Sequence, residues 1–220
     1  MKRFSEFIIA KRLPILLIII GITVFFAYQA ITHLTVKTIF SDLLPSNHAY
    51  TKLHREILHK FGGANQVLIM VQVRDQEDGG QYDDIFNFET LNIVKDITEK
   101  LYLFPYVDRA KIMSLASRKV RDIKITTQGM QLENIMFPDV PDTQEGLDRL
   151  RLTVYGSPMV YPLLVSLDSK KTLIMVDFFE EQISYSELYK HFIALRAEFE
   201  NENNIVAIAG EPMHLGYVDN

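Results

Sequence analysis

The most prominent feature of the hydropathy pattern is an uninterrupted apolar run near the N-terminus. Residues 13–31 read LPILLIIIGITVFFAYQAI, and none of these 19 side chains is charged. As an α-helix with a rise of about 1.5 Å per residue, the run would measure roughly 28 Å, close to the hydrocarbon thickness of a bilayer. The pattern predicts a transmembrane helix over residues 13–31.

Two alternatives explain the same run: a cleaved signal peptide and a buried core helix. Cleavage needs small residues at the last and third-last positions before the cut. A cut after Ala30 would place Tyr28 at the third-last position, and a cut after Ala27 would place Phe25 there. A core helix would be shorter and flanked by turn residues. The run therefore favours an uncleaved span.

Downstream, four segments carry apolar residues at spacings of three and four, the period of an amphipathic helix. Their stripes are Tyr50, Leu53, Ile57 and Phe61; Phe88, Leu91, Val94, Ile97, Leu101 and Phe104; Leu147, Leu150 and Val154; and Tyr185, Leu188, Phe192, Leu195 and Phe199. Polar residues able to cap a helix precede these stripes: Ser46-Asn47, Asp83 or Asp84, residues 142–145, and Ser184. Gly62-Gly63 is expected to end the first helix, and Pro105 follows the second.

Short apolar runs rich in β-branched residues alternate with these helices. The clearest is QVLIMVQV at Gln66–Val73, and weaker or shorter runs occupy residues 107–117, 160–167, 172–179 and 205–209. The polar residues 168–171 predict a hairpin turn, whereas residues 118–141 show no clear pattern.

The order of these elements predicts the fold class. Without the segment that contains the third helix, the order is β-α-β…β-α-β, which is the ferredoxin-like pattern of an α+β sandwich. The sequence thus predicts one N-terminal transmembrane helix followed by a ferredoxin-like domain with an insertion.

The charge distribution separates the N-terminus from the rest of the chain. Residues 1–30 carry four Lys/Arg and one Glu, a net charge of +3, whereas the whole chain has 23 Lys/Arg and 28 Asp/Glu. Residues 31–220 therefore carry −8, and so acidic a body argues against nucleic acid as a partner. The chain contains no cysteine, which excludes a disulfide scaffold and a Cys-based zinc site.

The basic residues before the apolar run predict its orientation. Four Lys/Arg lie within residues 1–12, and a single Lys follows the run closely. The positive-inside rule then places residues 1–12 in the cytoplasm and residues 32–220 outside, in the periplasm of a Gram-negative bacterium. Phe4, Phe7 and Ile8 recur at helical spacing, so residues 1–12 are also expected to form an amphipathic segment on the inner membrane surface.

The sequence offers little site chemistry. The motifs of phosphate loops, dinucleotide folds, zinc proteases and serine hydrolases are all absent. His54 and His59 are five residues apart, so they do not share a helix face as metal ligands would. Asp177 interrupts an apolar strand; it either has a buried partner or lies where the strand emerges at the sheet edge. We therefore expect no catalytic residue, no bound cofactor, no metal site and no enzymatic activity.

Several short motifs, in order, resemble the RND superfamily of bacterial exporters, most closely its lipid-exporting HAE3 or MMPL-like branch. After the basic-flanked span come Asp42-Leu43-Leu44-Pro45, then Phe61-Gly62-Gly63 before the first strand, and finally Gly210-Glu211-Pro212. The resemblance implies that residues 32–220 form a periplasmic porter domain and that a second span follows Gly210-Glu211-Pro212. Transporters of this type look like twelve-span proteins built from two similar halves. Their proton-relay acids lie in later spans. Because the sequence stops at Asn220, we interpret it as the N-terminal part of a transporter or as a naturally truncated relative.

The function implied by this resemblance is proton-driven export of a lipidic or hydrophobic substrate across a bacterial inner membrane. The implied partners are the bilayer, the remaining spans and a second porter domain; a homo-oligomer is left open. Two other hypotheses stay open: a single-span anchored periplasmic sensor or interaction domain, and a membrane-tethered enzyme. Candidate residues for the substrate path are the adaptable Met and aromatic side chains Met113, Met136, Phe137, Met159 and Tyr161. They could equally be ordinary core residues or pack against a second porter domain.

Overall fold

The computed structural model describes residues 11–33, 45, 48–61, 65–126, 129–179 and 184–219. The chain divides into two compact units, Met1–Ile39 and Phe40–Asn220. The described part of the first unit is one helix, α1 (Arg12–His33). The second unit is mixed α+β, with the elements α2 (Ala49–Phe61), β1 (Gln66–Val73), α3 (Phe88–Leu103), β2 (Arg121–Thr126), β3 (Gly129–Asn134), α4 (Gln144–Gly156), β4 (Lys171–Asp177), α5 (Tyr185–Phe199), β5 (Asn204–Gly210) and α6 (Glu211–Val218).

The main sheet has the order β4-β1-β5, and β1 is antiparallel to both neighbours. Ile69 lies opposite Ile174 of β4, and Val71 lies opposite Val206 of β5. Both Gln66–Val73 and residues 172–179 were predicted to be central strands of one sheet, because both are apolar on both faces. The prediction is confirmed for β1 and wrong for β4, which lies at the end of the three-stranded sheet. The bounds of β4 and β5 fall within one or two residues of those predicted.

A further segment pairs with the outer edge of β4 without forming a regular strand. Met113 and Met175 exchange two backbone hydrogen bonds of 2.9 and 2.8 Å, and the Asp108 amide donates to the Asp177 carbonyl at 2.9 Å. A single 3-10 turn, Arg109–Lys111, separates these contacts. The predicted strand over residues 107–117 is therefore wrong as a continuous element, because this turn breaks its extended backbone.

One face of the sheet forms the core with α3 and α5. The inward side chains of β1 and β4, including Val67, Ile69 and Ile174, are fully buried. Helix α3 covers them with Leu91, Val94, Ile97 and Leu101, and α5 covers them with Leu188, Phe192 and Leu195. Burying each such side chain stabilises the fold by about 1.5–3 kcal/mol.

The opposite face of the sheet is apolar and half-buried. It carries Leu68, Met70, Leu173, Met175 and Ile205. We refer to these five residues as the open sheet face.

The capping predictions have mixed outcomes. Thr143 and Ser184 cap α4 and α5 with their side chains, within the predicted boxes. Asn87, rather than Asp83 or Asp84, caps α3 by accepting from the Thr90 amide at 2.8 Å. Asp84 instead accepts from the Phe86 amide at 2.9 Å, which orders the turn before the helix. The predicted cap at Ser46-Asn47 and the stop at Gly62-Gly63 lie outside the described residues.

Two segments of the insertion differ from expectation. Residues 118–141 contain the β2–β3 hairpin, which forms a separate two-stranded sheet. Residues 160–167 form turns instead of a strand: the Leu164 amide donates to the Val160 carbonyl at 2.7 Å. Val160 and Leu164 are both buried, so the apolar pattern here has a period of four and not two. The predicted turn after this segment is present, with Ser169 at a φ of 57°.

Candidate functional site

Helix α1 exposes apolar side chains around its whole circumference. Arg12–Thr32 is long and apolar enough to cross a membrane. Its described side chains are nearly all exposed, so a buried core helix does not fit this segment. The Thr23 hydroxyl donates to the Ile19 carbonyl at 2.9 Å, which satisfies a polar group without water.

The five candidate substrate-path residues occupy different environments. Met136 is buried in the core. Met113, at the sheet edge, is partly buried and packs against the core. Phe137 is half-buried beneath the Arg118 guanidinium, 4.8 Å from its ring centroid. Met159 and Tyr161 lie together in the turns after α4: Met159 is 66% exposed, whereas Tyr161 is half-buried.

Met159 belongs to a larger exposed apolar series that the sequence analysis missed. Leu152, Tyr155, Met159, Leu163 and Leu167 recur at spacings of three, four, four and four, and each is at least 41% exposed. We call these residues the insertion surface. The opposite side of α4 fills the core, so this surface remains available for a partner. The spacing of four residues continues beyond Tyr155 in the sequence and indicates this surface, but residues 160–167 were predicted to form a strand.

A groove of about 400 Å³ lies between α5, β5 and α6. Its lining is mixed: aromatic and aliphatic side chains with one Arg and one His, namely Tyr189, Ile193, Arg196, Ile208, Ala209, Gly210, Met213, His214 and Tyr217. The Arg196 guanidinium donates to Glu200 at 2.8 Å, a hydrogen bond that raises the pKa of Arg196.

The Gly210-Glu211-Pro212 motif shapes one end of this groove. Gly210 has a φ of +139°, and a Cβ there would lie 2.4 Å from the Gln66 carbonyl oxygen. Pro212 occupies the first turn of α6, where no intrahelical amide is lost. The motif therefore turns the chain from the sheet directly into a helix.

In the part of the chain that the structure describes, an extensive polar cluster surrounds Glu89 at the start of α3. Its two carboxylate oxygens accept from the Tyr82 hydroxyl at 2.9 Å and from the side-chain amides of Asn201, Asn203 and Asn204 at 2.8, 2.9 and 3.3 Å. The hydrogen bond to Glu89 raises the pKa of Tyr82. A carboxylate with four donors is held in place rather than poised to move a proton, so this cluster is structural.

Asp177 combines both alternatives that the sequence left open. It ends β4 near the sheet edge, and it has partners there: Gln66 Nε2 donates to it at 3.0 Å, and Lys111 Nζ lies 3.4 Å away. Among the residues that the structure describes, no group of three His, Asp or Glu side chains could hold a metal ion.

Comparison with known proteins finds one partial similarity at the level of sequence. No family profile matches the sequence. A segment of 108 residues, 49% of this chain, is 29% identical to "Putative membrane protein MJ1562" of Methanocaldococcus jannaschii. The matched segment is 27% of that protein's length, so the similarity spans about a quarter of the relative.

Proposed function

We propose that this chain is the N-terminal part of an RND-type transporter of the HAE3 or MMPL-like branch, which exports lipidic or hydrophobic substrates. In this proposal α1 is the first transmembrane span, and the second unit is a ferredoxin-like porter domain. Energy would come from a proton gradient through acidic residues in further spans. The similarity to a membrane protein of M. jannaschii supports the membrane part of this proposal.

The observation that carries the proposal is the connectivity of the α+β unit that follows the apolar helix. Strands β4 and β5 run parallel on either side of β1, and α5 crosses between them. Helix α3 likewise crosses from β1 to the segment paired with β4 at Met113. If that segment is counted as a reduced fourth strand, the connectivity is that of two interleaved βαβ units, which supports the proposed ferredoxin-like porter domain.

The exposed apolar surfaces support a domain that works within a larger protein. The open sheet face and the insertion surface together present about ten apolar side chains that are half-buried or exposed, more than a solitary soluble domain needs. In the proposal they pack against a second porter domain or border the substrate path, where Met159 and Tyr161 would contact the substrate.

The transport proposal can be tested with the complete gene product. Cells that express it should accumulate less of a lipophilic dye such as N-phenyl-1-naphthylamine than cells without it, and a protonophore should abolish the difference. The matched control is the same protein with Ile174→Asp, which places a charge in the buried sheet and should disable the porter domain. Dye accumulation that ignores both the protein and the proton gradient would favour the anchored sensor.

The proposed topology has its own test. Residues 1–12 are expected in the cytoplasm and residues 32–220 outside, in a bacterial periplasm. A fluorescent-protein fusion at Ala10 should be fluorescent, and an alkaline phosphatase fusion at Gly80, in the turn after β1, should be active. An inactive phosphatase at Gly80 together with a cytoplasmic marker active at the same site would contradict both transport and periplasmic sensing.

A further inference from the structure

Helix α2 exposes the apolar stripe that its amphipathic sequence leads one to expect in the core. Tyr50, Leu53 and Ile57 of its apolar stripe are 65%, 55% and 46% exposed. The polar residue Thr51, between the first two, is only 3% exposed. The helix therefore buries Thr51 but leaves its apolar stripe exposed, as it does Lys52 and Glu56 on the polar side.

The other amphipathic helices of the second unit show the normal arrangement. Leu147, Leu150 and Val154 of α4 are buried, as are the corresponding leucines and Phe192 of α5. A helix that directs its stripe away from the core normally covers it with another surface. The chemistry of that surface is indicated by the charge of α2 and by its place in the chain.

The charge of α2 selects an anionic surface. Within Ala49–Phe61 the sequence has Lys52, Arg55 and Lys60 against Glu56, a net charge of +2. Residues 31–220 as a whole carry −8, so α2 is a basic segment in an acidic domain. Apolar side chains combined with Lys and Arg are the composition of helices that lie on membranes with anionic lipids.

The position of α2 in the chain places it within reach of a bilayer. Fifteen residues, 34–48, connect the end of α1 to the start of α2. At about 3.4 Å per residue, they reach at most roughly 50 Å. If α1 spans the membrane, the first turn of α2 cannot lie farther than this from the membrane surface.

We infer that α2 lies on the surface of an anionic bilayer, with Leu53 and Ile57 inserted at the boundary between headgroups and acyl chains. This inference rests on the proposed membrane-spanning role of α1. Binding of α2 to the bilayer would hold the start of the α+β unit against the membrane from which a lipidic substrate is taken. A second copy of the chain or another domain of the protein are the competing occupants that the test must distinguish.

The absence of cysteine makes a site-specific test practical. Single-cysteine variants Leu53→Cys, Ile57→Cys, Lys52→Cys and Val24→Cys of the full chain are labelled with the fluorophore NBD. Each is reconstituted into vesicles of phosphatidylcholine and phosphatidylglycerol that contain either 5-doxyl lipid, which quenches near the headgroup boundary, or 12-doxyl lipid, which quenches near the bilayer centre. Lys52 is the matched control on the polar side of the same helix, and Val24, near the middle of α1, reports insertion of the span.

The expected result is strong doxyl quenching at Val24, Leu53 and Ile57, with little at Lys52. Quenching at Leu53 and Ile57 should exceed that at Lys52 at least about twofold, because the apolar face of an interfacial helix inserts roughly 5–10 Å while its polar face stays in water. Equal quenching at positions 52, 53 and 57 would overturn the inference. Labels at 53 and 57 that are shielded from aqueous iodide but not quenched by doxyl lipid would show that protein covers the face, and would also overturn it.

Two further measurements test the insertion of α1 and the need for anionic lipid separately. Absence of quenching at Val24 would overturn the span, and with it both the proposed function and this inference; quenching at Val24 alone would overturn only the inference. Vesicles of phosphatidylcholine alone should quench Ile57 more weakly, since each Lys or Arg near an anionic surface strengthens binding about fivefold. Undiminished quenching there would overturn the assignment of an anionic surface.

Discussion

Helices α2 and α5 have the same kind of sequence and opposite surroundings. Both were predicted from apolar residues at spacings of three and four, and both form over the predicted residues. In α5 the stripe is buried, with Leu188 at 5% exposure, whereas Leu53 of α2 is 55% exposed. Periodicity thus predicts that a helix forms and which face is apolar, but not what covers that face.

Chain topology explains the difference. Helix α5 connects two parallel strands, β4 and β5, of one sheet, so the crossover must pack on that sheet to return the chain. Helix α2 precedes the first strand and makes no such crossover. Nothing in the connectivity requires its apolar face to lie in the core, which leaves that face available to another surface.

The largest expected effect is the loss of the central aromatic residue of α5. Phe192 is fully buried, and its ring centroid lies 5.7 Å from that of Phe104 and 5.9 Å from that of Phe178. Phe192→Ala should lower the free energy of unfolding by about 3–5 kcal/mol through the cavity it leaves. Denaturant unfolding of the full chain in mild detergent, followed by circular dichroism, measures this. A loss below about 1 kcal/mol would mean that α5 is not the core helix described here.

A matched pair of leucines tests the comparison directly. Leu188→Ala in α5 should cost about 2–4 kcal/mol of unfolding free energy, because a buried side chain is removed. Leu53→Ala in α2 should change it by less than about 0.5 kcal/mol, the usual range for exposed positions. The same unfolding experiment applies to both variants. Equal losses would remove the distinction between the two helices.

The same contrast separates the elements of the fold that local sequence patterns predict from those that they do not. Apolar alternation and helical spacing predicted β1, β4, β5 and all four amphipathic helices, because each pattern is local. The insertion was harder: residues 160–167 have an apolar period of four that resembles a short strand. The β2–β3 hairpin has a short apolar alternation, with Ile123 opposite Leu132, but these side chains are 49% and 56% exposed. Two apolar positions per strand are too few to distinguish such a hairpin from an irregular segment.

Candidate functional residues were less predictable than the core. Residue type alone selected the five path candidates, and the structure distributes them between core and surface, with Met136 buried and Met159 exposed. The cluster around Glu89 joins residues more than a hundred positions apart, a contact that only the tertiary fold creates. Asp177 was singled out correctly, since an acid in an apolar strand needs partners wherever it lies.

The outer side of α5 offers a test of intermediate size. Helix α6 packs on α5 at Gly216, where a Cβ would lie 2.3 Å from the Tyr185 carbonyl oxygen and 2.6 Å from Tyr189 Cβ. Gly216→Ala should therefore push α6 off α5 and cost about 1–3 kcal/mol. Hydrogen exchange of residues 211–218 should accelerate while that of β1 stays slow. Unchanged exchange in α6 would contradict the close packing. No comparable cover is described for the apolar stripe of α2.

The smallest predicted effect concerns the hydrogen bonds to Glu89 from Tyr82 and from the asparagines that follow α5. Tyr82→Phe removes one of four donors to Glu89 and should cost about 0.5–1 kcal/mol at neutral pH, given the partial exposure of this pair. The pKa of Tyr82 lies above its ordinary value of 10.0, chiefly because its hydroxyl donates to Glu89. The contribution of this hydrogen bond is thus fully present below pH 10 and is lost as the pH rises through the raised pKa. The stability difference between wild type and Tyr82→Phe, measured by denaturant unfolding, should be constant from pH 7 to 9 and shrink above pH 10. A difference that grew with alkaline pH would show that Glu89 does not hold the neutral phenol, and that α5 is anchored at this end by the asparagine amides alone.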